Sequence, residues 1–326
     1  MNCSTIHSSN IHLLECHKVL DRLKKLDSPV GEGQFGKVYI LDDLNYAIKV
    51  IPKKKDDDLF SSDSSANEYD SEDNYESEDN DEDNDDEEGT SEEEFVNEVD
   101  SLARVVSCPN VIKYYGYYED NNYYYLVTEA IRGKEIKNKS NETNNNNNNN
   151  NNDKRLEFVK QIVKGLQCIH ESGVAHNDIS LSNIMYDAGK DMYFFIDFGL
   201  SCSADCDGVY PGSDYYKGPE FTNNNYTKSI TLDKLQKNDL WALGLVILQE
   251  ILWFYKDGKT FKRDGDIWYE LDFATQSFKQ RKDVLQIMKE TIPRMIKLAS
   301  AQTNNNYITD LLTSLLKINP HERSLL

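Results

Sequence analysis

A long acidic tract interrupts the first half of the chain and limits where a folded core can form. Residues 56–94 contain 21 Asp or Glu residues and no Lys or Arg. The whole chain has 57 acidic and 36 basic residues among 326, so the remainder carries 36 of each and is formally neutral. Because like charges repel and the tract is poor in apolar side chains, we expect it to stay outside any core. A neutral remainder also argues against a broadly basic surface that binds nucleic acid.

A second polar tract lies near the middle of the chain. Residues 138–152 end in nine consecutive asparagines, which begin at Asn144. Such a segment offers no apolar surface, and we interpret it as an insertion at the surface of a folded domain. Without the two tracts 272 residues remain, which is enough to bury a substantial core. We predict an N-terminal extension over residues 1–26 and one domain over 27–326, interrupted by inserts at 53–94 and 138–153.

Targeting and redox signals are weak in this sequence. The N-terminal segment has no basic region followed by an apolar stretch, so we expect no signal peptide. The longest apolar run, Leu240–Leu248, is shorter than the roughly 20 residues needed to span a bilayer. The six cysteines form no C-x-x-C pair, and we expect free thiols in a reducing compartment. These features predict an intracellular protein, cytoplasmic or nuclear, without a membrane span.

Apolar periodicity predicts a small β-rich part followed by a larger helical part. The runs VGEGQFGKVYIL and LNYAIKVI favour antiparallel strands around a glycine-rich turn, and VIKYYGYY and YYYLVTEAI favour a hairpin. Between these pairs, Phe95, Val99 and Leu102 recur at helical spacing. After the Asn tract, an amphipathic helix starts near Asp153, and most of the remainder reads as helix apart from the strand MYFFIDFG.

Three glycines and one lysine in the β-rich part suggest a phosphate site. Gly31, Gly33 and Gly36 form a G-x-G-x-x-G motif that continues into a strand, so they belong to a hairpin. Glycines there let backbone N–H groups approach phosphates, although an ordinary turn would show the same pattern. Lys49 lies among apolar residues in AIKV, where burial is costly unless the ammonium meets an anion such as Glu98.

Further carboxylates follow in the helical part. The segment HNDISLSNIM places Asp178 and Asn183 five residues apart, and IDFG places Asp197 at the end of a strand. A carboxylate can accept the proton of a hydroxyl group, and carboxylate and amide oxygens are hard ligands for a divalent cation. Each motif alone is common, but their joint occurrence in this order is hard to attribute to chance.

In that order, the motifs resemble the signature set of eukaryotic protein kinases, and of serine/threonine rather than tyrosine kinases. GSDYYKGPE resembles the segment that ends the activation loop, DLWALG resembles the helix that follows it, and NPHER resembles the ending whose arginine, here Arg323, pairs with Glu220. The resemblance implies an α+β bilobal fold with a small antiparallel β lobe, one helix in that lobe, and a larger, mainly α lobe.

The resemblance also implies roles for individual residues. Asp178 would be the catalytic base, Lys49 would contact ATP phosphates while paired with Glu98, and Asn183 and Asp197 would hold Mg²⁺. His176, Leu102 and Phe198 would form a packed column between the lobes. The ATP-binding residues implied are Val30, Gly31, Glu32, Gly33, Gln34, Phe35, Gly36, Lys37, Val38, Ala47, Lys49, Thr128, Glu129, Ile131 and Met185.

Several positions depart from the family pattern, among them Gly218, which replaces the alanine before Pro219. Asn177 replaces the arginine that binds a phosphate on the activation loop, so we expect a loop that is competent without that phosphate. Ser180 replaces a lysine that contacts the γ-phosphate. Losing such a charge-assisted contact costs roughly 1.5–3 kcal/mol, which is about a tenfold to hundredfold slower reaction unless Lys217 or the substrate compensates.

The predicted function is transfer of the γ-phosphate of ATP, with Mg²⁺, to Ser or Thr hydroxyls of protein substrates. The alternatives are a pseudokinase scaffold, suggested by Asn177 and Ser180, and a small-molecule kinase of the choline or aminoglycoside type. The peptide-binding motifs around Asp239 and Glu220 disfavour the latter. We expect protein partners and no nucleic acid, and the acidic tract would attract a basic partner.

Overall fold

The computed structural model describes residues 4–6, 16–26, 28–33, 36–54, 89–135, 148–204, 206, 212, 216–221, 230–253 and 281–326. Most of both polar tracts lies outside these residues, as do the predicted site residues Gln34 and Phe35. In the described part, an antiparallel sheet with a long helix precedes a mostly helical region. The predicted α+β, two-lobed fold is therefore confirmed.

The small lobe is built on an antiparallel sheet whose described strands have the order β1–β5–β6–β4–β3–β2. In β5, buried and half-buried residues alternate. The sheet therefore packs one face on the core, and this packing accounts for the many tyrosines of the strand. One edge was not anticipated, because Ser4–Ile6 in the predicted extension pairs with Tyr117–Glu119. The strands are β1 (Ser4–Ile6), β2 (Gly31–Gly33), β3 (Gly36–Leu41), β4 (Tyr46–Pro52), β5 (Tyr114–Glu119) and β6 (Tyr123–Glu129).

Local side-chain contacts fix the turns and the packing of this sheet. The Asp120 carboxylate accepts hydrogen bonds from the backbone N–H groups of Asn122 and Tyr123, each at 2.9 Å, and so closes the predicted β5–β6 hairpin. Helix α1 (Cys16–Leu23) buries Val19 and Leu20 in a cluster that includes Ile48 of β4. The segment before the glycine hairpin is thus helical over α1.

Helix α2 (Glu92–Arg104) begins where the acidic tract ends. Ser91 and Glu94 form a reciprocal capping box at its first turn, which stops the helix from extending back into the tract. Phe95, Glu98 and Leu102 lie on its buried face, in agreement with the predicted period. A carboxylate on that buried face needs a cation, and this requirement positions the helix against β4.

Both ends of the acidic insert are fixed to the sheet at nearly the same point. Lys53 and Thr90 form a parallel bridge. The Thr90 N–H donates to the carbonyl of Pro52 at 2.9 Å, and the Lys54 N–H donates to the carbonyl of Thr90 at 3.0 Å. The chain therefore leaves and re-enters the fold beside the same strand.

The large lobe packs its helices around α4 (Leu232–Trp253), whose residues Leu240–Leu248 are buried almost throughout. Asn148–Asn152, at the end of the predicted insert over 138–153, belong to α3, so this helix starts earlier than the predicted position near Asp153. The long amphipathic pattern that follows propagates the helix back through these asparagines. In the described part of the chain, no helix is long and apolar enough to cross a bilayer. The other elements are α3 (Asn148–Glu171), α5 (Arg281–Thr303), α6 (Asn306–Leu315), β7 (Gly133–Glu135), β8 (Ile184–Asp187) and β9 (Met192–Phe195).

Four cysteines are paired as disulfides, so the prediction of free thiols is wrong for them. Cys108 bonds to Cys168 on α3, and Cys202 bonds to Cys206. The sequence lacked a C-x-x-C signature because the first pair is 60 residues apart and meets only in the folded chain. The cysteine content therefore stops being an argument for a reducing compartment. The side chains of Cys3 and Cys16 lie outside the described residues.

Arg323 forms a buried ion pair that joins the end of the chain to the middle of the large lobe. Its guanidinium donates to both carboxylate oxygens of Glu220, at 2.7 and 2.6 Å, and its side chain is 0% exposed. Further hydrogen bonds go to the backbone carbonyls of Lys237 and Lys317. The pairing inferred from the resemblance is present, in the bidentate geometry that only arginine provides.

We expect Arg323→Met to lower the free energy of unfolding by about 3–5 kcal/mol, because it leaves the Glu220 carboxylate without its cation in a buried setting. Urea denaturation followed by circular dichroism measures this change. Lys160→Met on the exposed side of α3 is the matched control and should change stability little. A loss no larger than that of the control would contradict the structural role of the pair.

We also expect Cys108, Cys168, Cys202 and Cys206 to resist alkylation by iodoacetamide until the purified protein is reduced, as mass spectrometry of tryptic peptides would reveal. A cross-link over 60 residues stabilises a fold by about 4 kcal/mol in the chain-entropy treatment. Cys108→Ala/Cys168→Ala should therefore unfold at lower urea concentration, and reduction should add only the smaller effect of the remaining pair. Complete labelling of the native, unreduced protein would refute the pairing.

Candidate active site

A buried lysine with two carboxylates is the centre of the site between the two lobes. Lys49 lies on β4, opposite Val38 of β3 and Leu126 of β6. Its Nζ is 2.9 Å from Oε1 of Glu98 on α2 and 2.8 Å from Oδ1 of Asp197, which follows β9. The Lys49 and Glu98 side chains are 13% and 4% exposed. Three predicted site residues that are far apart in sequence thus meet in one ion-pair cluster.

This cluster determines the charge of its members. Burial alone would lower the pKa of Lys49, but the charges of Glu98 and Asp197 outweigh it and raise that pKa. Burial raises the pKa of Glu98, and the charge of Lys49 offsets this only in part. Burial also acts to raise the pKa of Asp197, yet the ammonium of Lys49 and the N–H of Gly199 bring it below its ordinary value. Asp197 is therefore an anion at neutral pH, as a cation ligand has to be.

The segment that carries Asp178 is fixed by a carboxylate from α4. The backbone N–H groups of His176 and Asn177 donate to the two oxygens of Asp239, each at 2.8 Å, and His170 Nε2 lies 2.9 Å from the same group. The Asp239 residue is 0% exposed, so these donors replace water around a buried charge. The loop is consequently held rigidly before any ligand arrives.

Asp178 and Asn183 contact each other directly. The Asn183 amide nitrogen donates to the backbone carbonyl of Asp178 at 2.8 Å and to its Oδ2 at 2.6 Å. The amide oxygen is then the atom of Asn183 suited to a cation. A short 3₁₀ turn over Leu181–Asn183 sets this spacing, and the Ile196 N–H donates to the Asn183 carbonyl at 3.0 Å. That last bond connects the Asp178 loop to the segment after β9, which carries Asp197.

The oxygen donors of this cleft suit a cation that shares its coordination with a ligand. Among the described residues, no three His, Cys, Asp or Glu side chains cluster as a metal site. Asp197 and Asn183 offer one carboxylate and one amide oxygen from adjoining segments. Mg²⁺ is usually bound through one or two carboxylates together with water and phosphate oxygens, so the donor set fits that ion.

The glycine hairpin covers the same region from the sheet. Gly31–Gly33 pairs with Gly36–Val38 as β2 and β3. Gly36 has φ +129°, and a Cβ there would lie 2.2 Å from the carbonyl oxygen of Val50, so no other residue fits this turn. Val30 is 64% exposed, and Lys37 forms an ion pair with Glu32 across the hairpin. The tip residues Gln34 and Phe35 lie outside the described part.

The remaining predicted ATP-contacting residues lie on neighbouring strands and at the start of the connection between the lobes. Ala47 of β4 faces Thr128 of β6 in register, and both are buried. Val38 of β3 and Met185 of β8 are half-buried. Glu129 ends β6 and pairs with Lys190, and Ile131 is 4% exposed. These residues thus lie on the strands that flank Lys49 or on segments close to them in sequence.

The predicted interlobe column is buried. Leu102, His176 and Phe198 are at most 1% exposed, and the His176 and Phe198 rings lie 4.7 Å apart. His176 Nε2 lies 3.2 Å from the carbonyl oxygen of Ile196, the residue directly before Asp197. The His176 ring therefore links the segment of Asp178 to the segment of Asp197. Rigid packing here fixes the relative positions of the two catalytic segments.

Comparison with known proteins agrees with this geometry. The sequence pattern of the protein kinase domain matches residues 75–325, more than three quarters of the chain. The chain belongs to the protein kinase family. The match begins within the acidic tract, after Lys49, and the structure adds β2–β4 to the same sheet as the matched β5 and β6. The long insert is therefore what separates the glycine hairpin from the rest of the pattern.

Curated relatives of this kinase include protein kinases of a parasite and of plants. Calcium-dependent protein kinase 4 of Plasmodium falciparum is 27% identical over 252 residues, which are 74% of this chain and 38% of that protein. Calcium-dependent protein kinase 25 of Arabidopsis thaliana is 26% identical over 284 residues, 82% of this chain and 46% of that protein. A calcium and calcium/calmodulin-dependent serine/threonine-protein kinase of Pisum sativum is 31% identical over 150 residues, 43% of this chain and 25% of that protein. The chain therefore spans less than half the length of these relatives.

One departure from the kinase pattern has a local steric reason. Gly218 stands where the family has alanine before Pro219 and Glu220. A Cβ at Gly218 would lie 2.6 Å from the Glu220 carboxylate, which is already held by Arg323. The Gly218 N–H donates to the side chain of Asn238 at 2.8 Å, so the backbone is drawn close to α4. Glycine thus permits a tighter approach of this segment to α4 than alanine would.

Asn177 has a structural role of its own in this kinase. Its backbone has φ 64°, a left-handed conformation in which asparagine is among the most tolerated residues. Its side-chain nitrogen donates to the carbonyl of Leu200 at 3.0 Å. The amide therefore contacts the beginning of the activation segment directly, whereas an arginine there would reach toward a phosphate.

Sequence reasoning missed several supporting residues of the site. Asp239 was noted as part of a motif, but its role as acceptor for the catalytic loop was not inferred. Asn238 and Gln249 on the same helix hold Gly218 and the Tyr216 hydroxyl. Polar residues inside an otherwise apolar helix are the signal that would have found them, because burial of such groups requires partners.

We expect Lys49→Met to make the stability of the kinase depend more strongly on pH. Without the ammonium, the buried Glu98 carboxyl has a folded-state pKa still further above its unfolded value. A carboxyl shifted in this direction contributes stability below its unfolded pKa and loses it as the pH rises through the folded pKa. The deficit of the variant relative to wild type should therefore be small near about pH 5 and grow toward about pH 8.

Urea titrations at a series of pH values measure that deficit. Lys49→Met/Glu98→Gln is the control, since a neutral amide cannot ionise and the part of the extra pH dependence that comes from Glu98 should disappear, leaving only the part from Asp197. A deficit that shrinks as the pH rises would contradict the assignment of Glu98 as the group left unpaired.

Proposed function

We propose that this kinase transfers the γ-phosphate of ATP to Ser or Thr hydroxyls of protein substrates. The observation that carries the proposal is the contact of Lys49 with both Glu98 and Asp197, at 2.9 and 2.8 Å. This arrangement presents a fixed ammonium beside a carboxylate suited to a cation. Membership of the family supports the same activity, as does the similarity to the Pisum sativum serine/threonine-protein kinase.

Lys49 and the glycine hairpin would hold the phosphates. The lysine is fixed at its charged end by Glu98, so its orientation is set before the nucleotide binds. The hairpin backbone of Gly31–Gly36 can approach phosphate oxygens because its glycines lack side chains. Val38, Ala47, Thr128, Ile131 and Met185 would form the apolar surface for the adenine.

Asn183 and Asp197 would hold Mg²⁺ through the amide oxygen and the carboxylate. When bound, the metal neutralises charge on the phosphate oxygens. Asp178 would orient the substrate hydroxyl and accept its proton as the oxygen bonds to the γ-phosphorus, while the bond to the ADP oxygen breaks. The Asp178 side chain is fixed by Asn183, which keeps the base and the metal ligand at a constant separation.

A pseudokinase function is the second candidate, and Ser180 and Asn177 motivate it. The Ser180 hydroxyl lies 2.8 Å from that of Ser182 and carries no charge for the γ-phosphate. The retained cluster of Lys49, Glu98 and Asp197 disfavours this candidate, since a protein without turnover has no need of it. We therefore propose a slow but active enzyme. The hydrogen bond from Asn177 to Leu200 would hold the beginning of its activation segment in position.

A transfer assay with γ-labelled ATP, Mg²⁺ and a generic protein substrate tests this function. Asp178→Asn should reduce the rate by about 10²- to 10⁴-fold, because the hydroxyl loses its proton acceptor. Phosphoamino acid analysis of the product should give phosphoserine or phosphothreonine. Asp310→Asn, at an exposed position of α6, is the matched control and should leave the rate unchanged.

Equal labelling with wild type and Asp178→Asn would indicate a contaminating activity and favour the scaffold. Labelling of small alcohols but not of protein would favour the small-molecule kinase instead. Phosphotyrosine as the product would overturn the proposed residue specificity.

A further inference from the structure

The large lobe carries an open groove that the catalytic site does not use. It encloses about 540 Å³ between α5, α6 and the segment that follows α6. This volume is within the range of roughly 300–1,000 Å³ that ligand pockets occupy. Its floor is apolar and consists of Met288, Ile292, Pro293, Ile296, Leu316 and Ile318.

Three lysines line the same groove. Lys289 and Lys297 lie eight residues apart on α5, so both are on the side that faces the groove, and Lys317 lies on the opposite wall. Within the residues that the structure describes, none of the three forms an ion pair. Glu290 is the carboxylate nearest in sequence to Lys289 and Lys297, and Glu322 is the one nearest to Lys317; neither lines the groove. The groove therefore combines an apolar floor with unneutralised positive charge.

We propose that this groove is a docking site for an acidic segment of a protein substrate, one that also carries large apolar side chains. The proposal rests on the proposed function in naming a substrate, and it deepens that function by naming a second contact outside the catalytic cleft. The acidic groups would face Lys289, Lys297 and Lys317, and the apolar side chains would pack on the floor.

The dimensions indicate how much of a substrate the groove binds. Its α5 wall runs from Met288 to Ser300, thirteen residues, whose twelve helical rises span about 18 Å. An extended peptide of about five or six residues covers that distance. The lining contains no aromatic residue on which bases could stack, so the groove does not have the character of a single-stranded nucleic-acid site.

Binding to the whole 326-residue chain tests the proposal without requiring catalysis. The probe is a fluorescein-labelled synthetic octapeptide with four Asp or Glu residues and two Phe and two Leu residues in alternation, measured by fluorescence anisotropy. Lys289→Glu/Lys297→Glu/Lys317→Glu should weaken binding by at least about tenfold, because three attractions become repulsions. Lys154→Glu/Lys160→Glu/Lys164→Glu on exposed α3 positions carries the same change in net charge and should bind as wild type does.

Changes in the peptide separate the contribution of its acidic groups to affinity from that of its apolar side chains. Replacing its acids by Asn and Gln, or its Phe and Leu by Ser, should each reduce affinity at least about tenfold, and affinity should fall as salt rises. Equal binding by both lysine variants would overturn the site. If the peptide binds only after deletion of residues 56–88, the occupant of the groove is the chain's own insert. If the protein binds anionic phospholipid vesicles in preference to the peptide, the occupant is a membrane surface. Either result overturns the proposal.

Catalysis then connects the groove to substrate choice. A generic serine peptide fused to the octapeptide should show a KM about tenfold lower than the unfused peptide, with kcat unchanged. The groove variant should lose that advantage while phosphorylating the unfused peptide normally. An unchanged KM for the fusion would overturn substrate docking, whereas no phosphorylation of either peptide, with binding intact, would instead count against the proposed function.

Discussion

The ammonium of Lys49 is the interaction on which the arrangement of both lobes depends. It lies on a strand of the small lobe, pairs with Glu98 on the one long helix of that lobe, and pairs with Asp197 of the large lobe. Each of these charges would be costly to bury alone, so the three are stable only together. Their mutual dependence fixes helix α2 against the sheet and the sheet against the large lobe. A cleft between two lobes thereby becomes a site of defined shape.

Asp239 is a second buried charge that fixes the position of a segment, in this case the Asp178 loop within the large lobe. One buried carboxylate on α4 accepts hydrogen bonds from consecutive backbone N–H groups and from a histidine, and so holds the loop of Asp178. The Arg323–Glu220 pair holds the segment after the activation loop in the same way. The chain thus uses a few desolvated charges to position flexible segments, and leaves the apolar helices to supply stability.

The sequence was informative where chemistry is carried by residue type and order. Lys49, Asp178, Asn183 and Asp197 could be named because each stands in a short motif, and the structure brings them to adjoining segments. Contacts that depend on three-dimensional approach were not accessible: strand β1, the Cys108–Cys168 bond and the acceptor role of Asp239 all join parts of the chain with no shared pattern. The start of α3 in the Asn tract was missed because helix propagation overrides local composition.

The paired ends of the acidic insert have a consequence for engineering. Lys53 and Thr90 are bridged neighbours, so the hydrogen bonds that define strand β4 and the first turn of α2 are complete without any of the intervening residues. The entropy of closing such a loop changes slowly with its length. A fluorescent protein or an affinity handle inserted between residues 55 and 88 would thus leave the frame of the catalytic cleft in place, which makes this point of the chain the natural attachment site for a reporter.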